Sequence, residues 1–140
     1  MDLSFQEKSL WLMLVGLIAS FAFYFYYAFA SQLPQSVDVM PQQLLLFGLA
    51  VAMLVIVQII GQVVIAIVDR RLQTDERDRL IALKGTRNAA YVLATGVFCA
   101  LSAALLTTGN FIFTHILLGF WLLAQLTEIG SQLFLYRRGA

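Results

Sequence analysis

Four apolar runs, each of roughly twenty residues, divide this sequence. About twenty apolar residues in a helix cross the hydrocarbon core of a bilayer, which is roughly 30 Å thick. Backbone polar groups inside lipid must be hydrogen-bonded within the protein, so only helices and closed barrels can span it. These runs are too long and too continuous for the strands of a barrel. The sequence therefore predicts four membrane-spanning helices.

The charge content agrees with a chain that lies in a bilayer. Charged residues make up 12% of the sequence and the mean hydropathy is +0.84, whereas soluble domains contain about 25% charged residues. The first apolar run is longer than that of a signal peptide and lacks a small-residue cleavage site, so we expect it to be retained. The net charge of +1 argues against a nucleic-acid partner.

The predicted fold is an all-α, four-helix membrane bundle made of two helical hairpins in a single domain. The expected spans cover residues 5–30, 44–68, 89–106 and 111–136, and residues 69–88 form a charged joint. The second hairpin closes at a tight turn, where Gly109 should end one helix and Asn110 should cap the next.

The basic residues predict the orientation of the chain. Basic residues in short loops remain in the cytoplasm. All nine Lys and Arg residues lie in the N-terminal segment, the joint or the C-terminal segment, and the other two loops contain none. We therefore predict that both termini are cytoplasmic and that the protein lies in the bacterial cytoplasmic (inner) membrane.

The joint contains a run of interleaved acids and bases. Acidic residues in a first turn favour the helix dipole, so we expect the third helix to begin near Asp75 in the cytosol and to continue into the membrane. Asp75 and Arg79 also have the i,i+4 spacing of a helical ion pair. The run consists of Asp75, Glu76, Arg77, Asp78 and Arg79.

This run allows two interpretations. It is either a solvated helix start or a docking surface for a cytoplasmic protein or a second copy of the chain. Arginines interleaved with carboxylates suit specific pairing better than lysine-rich lipid binding. The same arginines oppose a cation among the carboxylates, so no metal site is predicted.

Glu128 is the only acid in the interior of a predicted span, roughly 13 Å along the helix from Arg137. A charge at the centre of a bilayer costs about 3 kcal/mol, so an acid within a span indicates a function. Glu128 could hydrogen-bond to Gln62 between helices, pair with an arginine such as Arg87, or bind a proton or ligand. The surrounding polar candidates are Gln125, Gln132, Gln58 and Gln62.

The sequence offers little for catalysis or cofactor binding. Cys99 and His115 are the only residues of their types and are far apart along the chain. No nucleophile and base occur at a useful spacing, and no metal-ligand pattern is present. We therefore expect no catalytic residue, cofactor or metal.

Two segments carry a family resemblance, TDERDRLIALKGTRNAAYVL and LTEIGSQLFLYRRG. They resemble a family of small bacterial and archaeal multi-pass membrane proteins of unknown function, over residues 75–139. Members resemble proteins encoded beside small helix-turn-helix regulators, so the resemblance implies a regulatory role without an activity. The residues that match its motif are Asp75, Glu76, Arg77, Asp78, Arg87, Glu128, Gln132, Arg137 and Arg138.

Two functions follow as hypotheses. The first is a non-enzymatic membrane protein, expected to form a homo-oligomer, that acts as a regulatory or partner-binding subunit through its joint and contacts membrane lipid. The alternative is a dimeric proton-coupled transporter or channel with Glu128 as its titrating group. Gln58, Gln62 and Gln125 would then line its path.

Overall fold

The computed structural model describes residues 5–30, 38–68 and 75–138. The described residues contain helices and no β-strand, which confirms the all-α prediction. The elements are α1 (Phe5–Phe25), a π-helical turn (Tyr26–Ala30), α2 (Pro41–Val68), α3 (Glu76–Leu106) and α4 (Phe111–Arg138).

All four α-helices are long and apolar enough to cross a membrane, as predicted. α2 begins at Pro41, slightly before the expected start, because proline suits the first position of a helix. α3 is 31 residues long and begins at Glu76, so the described second half of the joint is helical and continuous with the span. Residues 69–74 of the joint lie outside the described residues.

The chain divides into two compact units. One contains α1, all of α2 after Pro41 and the first turn of α3, and the other contains the rest of α3, α4 and residues 38–41. We refer to the α1–α2 pair and the α3–α4 pair and describe each by itself.

The α1–α2 pair is antiparallel and packs through glycines. The Leu12 side chain lies over Gly61, and the Gln58 amide nitrogen lies 3.0 Å from where a Cβ atom would be at Gly16. Further along α1, the rings of Phe21 and Tyr24 pack against Phe47, with centroid distances of 6.4 and 5.9 Å. Small residues let membrane helices approach closely, which is their role here.

The α3–α4 pair also uses glycines, and both lie on α3. The Phe120 side chain covers Gly96, and Gln132 covers Gly85. The buried residues of α3 recur every one or two turns along one face of the helix. Most of them are small, so α4 can lie close to this face. Its members are Ile81, Gly85, Ala89, Gly96 and Ala100.

The outward surfaces of the helices are largely apolar. In α2, all of which is described, only Gln43 and Ala50 are buried, while side chains such as Leu44, Ile56 and Ile67 are exposed. Exposed apolar surface on this scale is unfavourable in water and suited to lipid tails. The apolar outward surfaces and the lengths of the helices thus both agree with a position in a membrane.

Candidate functional site

The start of α3 is fixed by two of its acids. The Asp75 N–H donates to Asp78 Oδ2 at 3.2 Å, and Asp75 Oδ1 accepts from the Glu76 N–H at 2.7 Å. The first bond is one half of a capping box, in which an acid at the third helical position accepts from the N–H of the cap residue. The prediction that the third helix begins near Asp75 is confirmed.

The cap changes the interpretation of the charged run. The Asp75 carboxylate bonds a backbone N–H, and Arg79 contacts Asp75 through its backbone N–H, 3.3 Å from the Asp75 carbonyl oxygen. Glu76, Arg77 and Arg79 are exposed, whereas Asp78 is half-buried. Two acids therefore support the helix start, and the surface around them carries exposed charges of both signs.

Glu128 lies in a small polar cluster between α3 and α4. The Thr86 hydroxyl donates to Glu128 Oε1 at 2.7 Å, and Gln132 Nε2 lies 3.5 Å from the same oxygen. Two residues after Thr86 in α3, Asn88 Nδ2 donates to Ser131 Oγ of α4 at 3.1 Å. Glu128 is half-buried, so its carboxylate is held by neutral donors and is still partly accessible.

Close packing at Gly85 brings this cluster together. A Cβ atom at Gly85 would lie 2.6 Å from Gln132 Cγ and 3.0 Å from the Glu128 carbonyl oxygen. The absence of a side chain lets the backbones approach until Thr86 reaches Glu128. Successive helical residues point about 100° apart, so Arg87 points about 200° away from Gly85, which faces α4. Arg87 is exposed, and its pairing with Glu128 stays a prediction.

The glutamines of the predicted polar site have separate surroundings. Gln62 Nε2 donates to Ser9 Oγ at 2.5 Å, and Gln58 lies beside Gly16, both within the α1–α2 pair. Gln132 joins Glu128, whereas Gln125 is half-buried elsewhere on α4. The hydrogen bond between Gln62 and Glu128 stays a prediction.

The hydroxyl and amide partners of this site were not predicted from the sequence. Thr86, Asn88 and Ser131 form the cluster around Glu128, and Ser9 bonds Gln62. A signal for Thr86 exists, because α3 and α4 are joined by a tight turn. The residue of α3 that is as far from this turn along the chain as Glu128 is about Ala89. Ala89 is about one helical turn from Thr86.

The depth of the cluster follows from helix length. We call the end of the α3–α4 pair that carries Lys84, Arg87, Arg137 and Arg138 the basic end. Counting back the ~20 residues of a span from Leu106 leads to Arg87, and counting on from Phe111 leads to Gly130. Glu128 therefore lies near the edge of the hydrocarbon core. The distance from Glu128 to Arg137 would indicate a deeper position only if the core ended at Arg137. The last residues of α4 instead extend beyond the core.

A second set of polar contacts lies at the turn between α3 and α4. Gly109 has a positive φ of 81°, which favours glycine and agrees with the predicted helix end. Asn110 is the cap residue of α4, and its carbonyl oxygen accepts from the Thr114 N–H at 2.9 Å. Its side chain instead accepts from the Val39 N–H at 2.8 Å, while its own N–H donates to Asp38 at 3.2 Å. The link to residues 38 and 39 was not predicted.

His115 lies in α4 and Cys99 in α3. His115 Nδ1 lies 2.9 Å from the Phe111 carbonyl oxygen, and the two rings are 4.1 Å apart. Cys99 is exposed as a free thiol. Within residues 5–30, 38–68 and 75–138, no three His, Cys, Asp or Glu residues are grouped so that they could hold a metal ion.

Comparison with models of known families, with characterised proteins and with solved structures finds no match to this chain. The family resemblance of residues 75–139 therefore stays a prediction.

Proposed function

We propose that this chain is a non-enzymatic, multi-pass protein of the bacterial cytoplasmic membrane that acts as a regulatory or partner-binding subunit. Its contact surface is the start of α3, and we propose that the chain forms a homo-oligomer. The positive-inside distribution of its basic residues supports a cytoplasmic position for this surface.

The main support is the length and rigidity of α3. The helix has 31 residues, about 11 more than a span requires, so it would project roughly 16 Å beyond the hydrocarbon core. The hydrogen bonds of Asp75 with Asp78 and Glu76 support the helical start of this projection. A rigid surface costs less conformational entropy on binding than a flexible loop.

The chemistry of the surface suggests how a partner is recognised. Glu76, Arg77 and Arg79 are exposed within one turn of helix and carry both signs of charge. Mixed charges give specificity and orientation, because a mismatched partner meets like charges. A cytoplasmic protein or a second copy of the same helix start could provide the complementary pattern.

The test must separate charge from helix capping. Glu76→Arg and Arg79→Glu reverse exposed charges and leave the cap intact. Asp75→Asn removes a charge and preserves the cap, whereas Asp75→Ala removes both. Each variant is purified with its partners from crosslinked membranes, and its oligomeric state is measured by native mass spectrometry.

We expect the Glu76 and Arg79 reversals to lower partner recovery or oligomer content at least fivefold. Asp75→Asn should have a smaller effect, because asparagine still caps the helix. Unchanged partners and an unchanged oligomer in both reversal variants would rule out docking through this surface. Loss in Asp75→Ala alone would assign the run to helix stability.

A second candidate is a dimeric proton-coupled transporter or channel with Glu128 as its titrating group. The half-buried carboxylate favours it, because Thr86 and Gln132 hold one oxygen of a group that remains partly accessible. Glu128→Gln keeps an oxygen for the Thr86 hydroxyl and removes the titration. Proton flux in proteoliposomes should then lose its pH dependence; a pH-dependent flux that persists in the variant would exclude this function.

A further inference from the structure

The outward face of α3 carries an ordered series of basic, aromatic and apolar side chains. These residues recur at helical spacing on the side opposite the buried face. Leu80, Tyr91 and Phe98 are 59%, 69% and 75% exposed, and both basic residues between them are exposed. We call this face the outer stripe; it consists of Leu80, Lys84, Arg87, Tyr91 and Phe98.

The order of the outer stripe follows depth in the bilayer. Arg87 lies at about the edge of the hydrocarbon core, with Lys84 about one turn outside it. Tyr91 lies about one turn inside, and Phe98 about three turns inside. A phospholipid has the same order, from its phosphate through the glycerol esters to its acyl chains.

The charge near this edge favours an anion. Lys84 and Arg87 are spaced i,i+3, so their side chains are neighbours on the helix surface. Arg137 and Arg138 at the end of α4 add positive charge, and the Arg138 guanidinium lies 4.5 Å above the Phe134 ring. The nearby acid, Glu128, is bonded to Thr86 between the helices.

We propose that the outer stripe is a binding site for an anionic phospholipid. Lys84 and Arg87 bind its phosphate, with the guanidinium able to donate two hydrogen bonds. Tyr91 lies beside the first part of the acyl chains, just below the esters, and the lipid's acyl chains continue along Phe98. A soluble phosphorylated protein fits less well, because half of the stripe lies within the membrane. This inference is independent of the proposed partner-binding function.

The test compares two variants that lose the same charge. The site variant is Lys84→Gln with Arg87→Gln; the matched control is Arg77→Gln with Arg79→Gln, on the same helix farther from the core. Both are titrated in detergent with phosphatidylglycerol and with phosphatidylcholine, and bound lipid is counted by native mass spectrometry. Circular dichroism checks that each variant is folded.

We expect the site variant to lose phosphatidylglycerol affinity about tenfold or more, since each basic residue near the surface contributes substantially to binding of anionic lipid. The control should lose less than threefold, and phosphatidylcholine should bind weakly to all three proteins. Equal losses of phosphatidylglycerol affinity in the two variants would show that the lipid binds through general surface charge and not at a specific site. No loss in the site variant would overturn the proposal.

The lipid tails provide a second arm of the test. Tyr91→Ala with Phe98→Ala keeps the basic pair and removes the aromatic groups beneath it. Its affinity for phosphatidylglycerol should fall several-fold, and soluble glycerol phosphate should fail to displace the lipid from the unaltered protein. Displacement by glycerol phosphate at equal concentration would show that the site binds phosphate alone and would refute the assignment to a lipid.

Discussion

The α1–α2 and α3–α4 pairs solve the same packing problem with different polar groups. Each brings its helices together at glycines and links them by a side-chain hydrogen bond to a hydroxyl, Ser9 in the first pair and Thr86 in the second. The partner of Ser9 is the neutral amide of Gln62, whereas the partner of Thr86 is the carboxyl group of Glu128. A glutamine is therefore sufficient to link two helices, and the acid in the α3–α4 pair adds a capacity that packing does not require.

The largest expected difference between the pairs is at their glycines. A Cβ atom at Gly96 would overlap Cβ of Phe120, which is fixed to the backbone, whereas one at Gly61 would overlap the flexible end of Leu12. Gly96→Ala should therefore destabilise the protein by about 1–3 kcal/mol, and Gly61→Ala by less. Unfolding in mixed micelles measures both.

Gly48→Ala is the matched control for these two substitutions, because a Cβ atom at Gly48 would meet nothing within 4 Å. It should be neutral or stabilising by up to about 1 kcal/mol, since alanine favours helix. Equal stability of the Gly61 and Gly96 variants would contradict the distinction between a fixed and a flexible neighbour.

Removal of the hydroxyls tests whether the acid makes the stronger link. Thr86→Val removes a donor to a carboxyl group and should cost about 1 kcal/mol or more. Ser9→Ala removes a bond to an amide and should cost about 0.6 kcal/mol, near the mean for interhelical bonds in membranes. In the Glu128→Gln background, Thr86→Val should cost no more than Ser9→Ala. A larger cost there would show that packing, and not the acid, makes the difference.

The start of α3 gives the second pair a cap that can be tested by itself. Asp75→Ala should destabilise the first turn of α3 by about 1 kcal/mol, and Asp75→Asn by a few tenths. Hydrogen exchange of the amides at residues 76–79 reports this local change. Equal exchange in both variants would exclude a capping role for the Asp75 carboxylate.

The smallest effect is expected at the end of α4. Arg138→Gln removes the guanidinium that lies 4.5 Å above the exposed ring of Phe134. An exposed contact of this kind contributes about 0.5 kcal/mol. Arg138→Lys should retain part of it, and an equal loss in both variants, measured by thermal unfolding, would assign the contribution to guanidinium shape instead of charge.

The sequence predicts the helices far better than their contacts. Apolar length fixes four spans, and the acids at Asp75 and Asp78 mark the start of α3 because capping depends on adjacent residues. The turn at Gly109 is also local, so the register of α3 against α4 could be derived within about one turn. The helical half of the joint was predicted too, because Asp75 and Glu76 indicate a helix start that continues into the membrane.

Which side chains meet between two helices depends on how each helix is rotated about its axis and on how closely the two helices approach. In lipid the outward faces are apolar too, so the apolar periodicity of the sequence determines neither. Gln62 could face any neighbour until the contact with Ser9 is known, and the turn at Gly109 locates the partner of Glu128 only to within about one turn of Thr86. The loop between α1 and α2 is too long to fix the register of that pair. Glu128 was identified as unusual by its charge alone, but its neutral donors required the structure.

The two hydrogen bonds at Asn110 also set an order of events during synthesis. Val39 and Asp38 precede Asn110 by 71 and 72 positions, so they leave the ribosome long before their partner exists. The backbone N–H of Val39 can find its acceptor only after α3 has been made and the chain has turned back. Formation of this contact therefore marks the arrival of the second hairpin, and a label at Asp38 would time the late stage of assembly.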